Sequence, residues 1–193
     1  MFRAVLTASF LLIVPVATAP VAAAQAPSLP AGTPEQRAAM DALDFLDGEW
    51  RGEARVGPQG AMTLIQTERV GDLLGGSVKL VEGRGYGPDG ATVFNALGVI
   101  SSSPEDGYAF STWASGMKAE YPITVTQNGF SWSHPAGPNG SMHYAATIED
   151  GRWVQTGDYR AEGQAPVRVI EMNMTRIGDG DWPGAGAIPP ISP

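Results

Sequence analysis

The chain has 193 residues, 43% hydrophobic and 17% charged, a balance that suits one globular domain. With 20 acidic against 12 basic residues its net charge is -8, which disfavours nucleic acid or an anionic membrane as partner. It contains no cysteine, so disulfides, thiolate metal sites and a lipidated cysteine are excluded, and stability must come from packing and hydrogen bonds.

Arg3 precedes an apolar run from Ala4 to Val14, a break at Pro15 and the small-residue segment Ala22-Ala23-Ala24. This is the pattern of a secretory signal over residues 1–24, cut before Gln25, with an apolar core too short to anchor the mature chain in a membrane. Cleavage would remove one base and no acid, moving the net charge from -8 to -9. The mature protein is therefore expected in the periplasm or outside the cell. Residues 25–32 (QAPSLPAG) read as a linker. Thr33-Pro34-Glu35-Gln36 has the sequence of a capping box with proline at the first helical position, predicting a helix from there to about Leu46. Its Ala39, Met40, Leu43 and Leu46 share one face, suited to closing one end of a domain.

From Gly48 the periodicity changes to two. Trp50, Gly52, Ala54 and Val56 share one parity while Glu49, Arg51, Glu53 and Arg55 share the other, the pattern of a strand wetted on one side. Further strands are predicted near 61–70, 76–86, 91–102, 107–115, 118–127, 129–134, 141–149, 152–160 and 166–176. They are separated by turn signals such as Pro88-Asp89-Gly90, Asn128-Gly129 and Asp150-Gly151. About ten short antiparallel strands in succession point to an all-β, up-and-down barrel over residues 33–177, because closure removes exposed edges. The segment 178–193 reads as a Gly/Pro-rich tail running off the domain.

Gly48-Glu49-Trp50 after a short helix resembles the Gly-x-Trp signature that opens the lipocalin-like (calycin) barrels. The runs LLGGSVKLVEGRGYGPDG and ALGVISSSPEDGYAFSTWASG resemble an exported bacterial lipocalin-like family of unknown function. The resemblance implies that an arginine at the end of the last strand packs over the tryptophan, and Arg176 is the matching residue. Nitrobindin-type barrels, related in shape, bind haem through a histidine late in the chain. This chain has no histidine after His143, so that ligand has no counterpart, and neither cofactor nor metal is expected.

Strand parity supplies candidate interior residues. Taking Arg69 as outward turns Met62, Leu64, Gln66, Glu68 and Val70 inward; taking Lys79 as outward turns Val78, Leu80, Glu82, Arg84 and Tyr86 inward. Trp132 and His134 follow, then Tyr144, with Ile170, Met172, Met174 and Arg176 on the last strand. Glu68, Glu82, Arg84, Tyr86, Trp132, His134 and Tyr144 are the expected ligand-binding set, with Trp50 and Arg176 structural. A buried carboxylate needs a partner, so Glu68, Glu82 and Arg84 are expected either to form a structural charge cluster or to orient a polar ligand head.

The string from Gly85 to Gly90 matches Gly-x-Gly-x-x-Gly but leads into a turn, so it does not hold a dinucleotide. Two histidines nine residues apart make no zinc site, and Asp179-Gly180-Asp181 lacks the remaining calcium ligands. The leading expectation is an exported, non-enzymatic protein that holds a small apolar or amphipathic molecule inside a barrel. The alternatives are a barrel enzyme of isomerase or lyase type, with His134 or a carboxylate as acid/base and Arg84 and Tyr86 polarising the substrate, or a filled barrel acting through its surface.

Overall fold

A computed structural model describes residues 32–184. The expected signal segment, most of the linker and residues 185–193 lie outside the described residues. Helix α1 (Pro34–Asp41) starts as a capping box: the Gln36 amide donates to the Thr33 hydroxyl, and the Gln36 side-chain oxygen accepts from the Thr33 amide. The expected continuous helix to Leu46 is corrected. The α-helix ends at its cap residue Ala42, Leu43 leaves the α conformation, and a separate 3₁₀ turn follows, Asp44–Leu46. The break sets Met40, Leu43 and Leu46 against the barrel core, all three fully buried.

Ten strands follow: β1 Gly48–Val56, β2 Met62–Leu73, β3 Val78–Tyr86, β4 Thr92–Ser103, β5 Gly107–Ala114, β6 Met117–Thr126, β7 Gly129–Pro135, β8 Gly140–Glu149, β9 Arg152–Ala161 and β10 Val167–Gly178. Each pairs antiparallel with its neighbour in sequence, and β1 closes on β10, so the expected up-and-down barrel is the fold. Closure leaves no edge strand to recruit another chain. The Gly85-to-Gly90 string is the β3–β4 turn, held by bonds from the Gly87 amide to the Ala91 carbonyl and from the Gly90 amide to the Gly87 carbonyl.

The N-terminal segment plugs one end. Trp50, 1% exposed, donates its indole N–H to the Leu46 carbonyl at 2.8 Å, and the Tyr108 hydroxyl donates to the Ala39 carbonyl at 3.0 Å. Gly48 has φ +118°, and a Cβ there would lie 2.9 Å from Arg176 Nε, so the glycine before Trp50 leaves room for the arginine. Lys79 completes the plug. Its ammonium is fully buried and reaches Asp44 at 3.0 Å, Asp47 at 2.8 Å and Asp72 at 2.8 Å, tying the 3₁₀ turn to β2 and β3.

The start of the tail packs on the barrel. Arg69 lies over the Trp182 ring at 4.7 Å, and a Cβ on Gly71 would come within 1.9 Å of the Trp182 carbonyl oxygen. Trp182 and Pro183 therefore lie against the outer face of β2, in a notch that Gly71 leaves open, while Gly180 packs on Glu49 of β1.

Candidate functional site

The register determines which residues look inward. Val70 and Ile100 are core residues, and β3 meets them through Val81 and Lys79, so the inner face of β3 is Lys79, Val81, Gly83 and Gly85. This corrects the parity expected for that strand. Glu82, Arg84 and Tyr86 face outward, where Glu82 forms ion pairs with Arg69 and Arg84. The cost of burying Lys79 is met by three carboxylates from separate parts of the chain, and the exposed alternative expected for it does not occur. Glu68, Trp132, His134 and Tyr144 do point inward, and all four line one cavity.

That cavity has a volume of about 520 Å³ and sits between two unlike walls. One is aromatic. Rings succeed each other from the plugged end to the mouth: Trp50, Trp153, Phe130, Trp132, Tyr144, His134 and Tyr121. Trp132 and Tyr144 stack most closely, at 4.5 Å between centroids. The facing wall, on β3 and β4, has four small residues on its inner face, Gly83, Gly85, Ala96 and Gly98, set between Val81 and Ile100 on one side and Phe94 on the other. Small residues opposite large ones leave the interior partly unfilled, and this is why the barrel is hollow. The close fit at the junction is visible at Gly98, where a Cβ would come within 2.3 Å of the Phe110 ring.

Glu68 is the acidic group of the cavity. It is opposite Trp50 on β1 and Gly83 on β3, and its two carboxyl oxygens lie 2.8 Å from where a Gly83 Cβ would be. Gln66 donates to Glu68 Oε1 at 2.7 Å. Desolvation pushes the Glu68 carboxyl up to about 8, with the nearby Glu82 charge adding to the rise against the Gln66 bond, so it is mainly protonated at neutral pH. Gln155 joins it on the cavity lining and accepts from the Trp153 indole N–H at 3.3 Å. Sequence parity passed over Gln155 and Thr112, which have no charge or aromatic ring to mark them.

Nearer the mouth, His134 Nδ1 lies 2.9 Å from the Pro135 carbonyl oxygen, which can only accept, so Nδ1 carries a hydrogen. Burial raises the Tyr144 phenol, keeping it a neutral hydroxyl. With Arg84 and Tyr86 outside, the arrangement drawn for a barrel enzyme has lost both of its polarising groups. A second depression, about 440 Å³ on the outer face of β6–β9, includes the outward-facing His143. Ser141 Oγ lies 2.9 Å from His143 Nε2, but the Asp158 opposite His143 is held by Arg168, so no nucleophile–base–acid relay forms. Asp44, Asp47 and Asp72 lie close enough together to chelate an ion, yet the Lys79 ammonium occupies their centre.

The fold and site define a closed ten-stranded antiparallel β-barrel with an internal, largely apolar cavity. No family model matches the chain, and no curated protein matches it in sequence. The fold is shared with Rv2717c from M. tuberculosis, known from its crystal structure, at a TM-score of 0.55 over 72% of this chain and 97% of that one, with 13% sequence identity. Identity that low makes the likeness one of fold. Among the described residues no helix is long and apolar enough to cross a membrane.

Proposed function

We propose that this protein is an exported, lipocalin-like binding protein that holds a small apolar or amphipathic molecule inside its barrel. The observation that carries the reading is the cavity: about 520 Å³, walled by aromatic and aliphatic side chains, with a few polar groups converging at Glu68. A packed barrel would offer a ligand nothing. The polar head of the ligand belongs beside Glu68 and Gln66, because Arg84, which was expected to help orient a polar head, is outside in an ion pair with Glu82. Export to the periplasm or medium is supported by the signal-like residues 1–24, and mass spectrometry of the recovered protein should find Gln25 at its start.

The test is native mass spectrometry of freshly purified protein, joined to titration with the neutral fluorescent probe N-phenyl-1-naphthylamine. A retained small molecule, or saturable probe binding that Ala96→Trp abolishes in a still-folded protein, supports the reading. A protein that is always empty and binds probe no better than the filled variant overturns it, leaving a barrel that acts through its surface.

A further inference from the structure

The ligand's head group can be assigned a chemistry, and the assignment rests on the cavity being a binding site. We propose that the barrel takes an organic ammonium ion, an alkyl or arylalkyl amine whose charged nitrogen sits at Glu68 while its apolar part lies along the aromatic wall. Three observations converge on this. Glu68 is an acid inside the cavity whose hydrogen-bond partner is the neutral Gln66, and among the described residues no basic side chain pairs with it. The cavity is lined by Phe110, Phe130, Trp132 and Tyr144, whose ring faces attract a cation and give an anion nothing. The chain as a whole is acidic, with a net charge of -8, which concentrates cations near its mouth.

The charged groups around Glu68 agree. From β3, Glu82 is close enough to raise its pKa and is neutralised by Arg69 and Arg84 on the outer surface. From β10, Arg176 lies beyond Trp50 and pairs with Asp179 at 2.7 Å. Across the cavity, His134, Tyr121 and Tyr144 are stacked on one another near the mouth. An entering ammonium ion is therefore the missing counter-charge. At neutral pH the Glu68 carboxyl gives its proton to solvent as the ammonium arrives with its own protons retained, so one proton is released per ligand bound and a carboxylate–ammonium pair is formed.

Octylamine, octanol and octanoate, matched in apolar length, test this by titration followed through tryptophan fluorescence and by calorimetry in two buffers of different ionisation heat. Octylamine should bind about tenfold or more tightly than octanol, and its affinity should climb towards tenfold per pH unit up to about pH 8 while that of octanol stays level. Glu68→Gln, a near-isostere of the protonated acid, should still bind octanol but lose both the preference and the pH slope. Octanol or octanoate binding as tightly as the amine would overturn the assignment and leave the binding reading intact. If none of the three binds while N-phenyl-1-naphthylamine does, the assignment falls and the binding reading stands; if none of the four binds, both fall.

Discussion

The Arg176 guanidinium lies over the Trp50 indole, 5.7 Å from the ring centroid, and the two residues face each other where β10 closes on β1. The contact joins the two ends of the barrel at the plugged end. Cation–π attraction at a half-exposed arginine contributes on the order of 1 kcal/mol, whereas emptying the fully buried indole volume costs about 3 to 5 kcal/mol. Urea unfolding should therefore show Trp50→Ala losing several times more stability than Arg176→Ala. Equal losses would mean that the guanidinium contributes far more than its ring contact.

Lys79 is the second fastener of the same end. Desolvation of the buried ammonium would lower its pKa, but the hydrogen bonds it donates to Asp47, Asp72 and Asp44 outweigh that and hold it above its usual range. A base whose folded pKa is raised gives stability that is complete below its unfolded value, about 10.4, and is lost as pH rises through the folded value. Lys79→Met should cost about 3 to 4 kcal/mol at neutral pH, the lower part of the range for breaking a buried pair because the three aspartates still reach water. Amide exchange should localise the loss to residues 34–47. An unchanged unfolding midpoint would show that the aspartates do not need the ammonium.

The pH dependence attached to Glu68 has the same sense, with stability falling as pH rises, but it spans a lower range. Its folded pKa lies well above the unfolded value, so its proton favours the folded state, and this advantage declines as pH rises from about 4.5 through about 8. Glu68→Gln should match the parent near pH 4.5 and exceed it at about pH 9 by on the order of a few kcal/mol, measured by urea unfolding at each pH. Parallel curves for the two proteins would place the carboxyl in contact with water.

Gly98 tests whether the close-packed seam between the walls is real. A methyl group there would press on the Phe110 ring at 2.3 Å, so Gly98→Ala should cost about 1 to 3 kcal/mol and shift the Phe110 ring signals in an NMR spectrum. Gly90→Ala serves as the control for backbone effects. It has a positive φ of 78° and nothing within 4 Å, so its cost should be backbone strain alone, with the Phe110 signals unmoved.

The strand count and the closed barrel were legible because Gly- and Pro-containing turns separate every pair of β-like runs, and those turns hold whatever the tertiary packing. The inner faces of β2, β7, β8 and β10 were legible too, since Arg69 marks the outer side of β2 and Phe130-Trp132, Tyr144-Ala146-Ile148 and Ile170-Met172-Met174 each hold one parity. β3 was not read correctly, because Lys79 conflicts in parity with Glu82 and Arg84. An intrinsic preference for water was given to the lysine, yet two charges against one, with Gly83 and Gly85 on the opposite parity, favoured the arrangement found. What keeps Lys79 inside is a set of aspartates at 44, 47 and 72, and only the fold brings these together. Trp182 was hidden for a related reason: its docking place is a glycine far back in the chain.

The unlike walls have a consequence for how such a barrel can diversify. The aromatic side is a run of rings that each lean on the next, so a change in one disturbs several. The small-residue side has no such interdependence at Ala96, where an added side chain would enter empty space directly. Successive replacements there would act as a graded sieve, shortening the longest molecule admitted while the rings and Glu68 stay in place. In the proposed binding protein, length would thus be read at Ala96 on β4 and charge at Glu68 on β2.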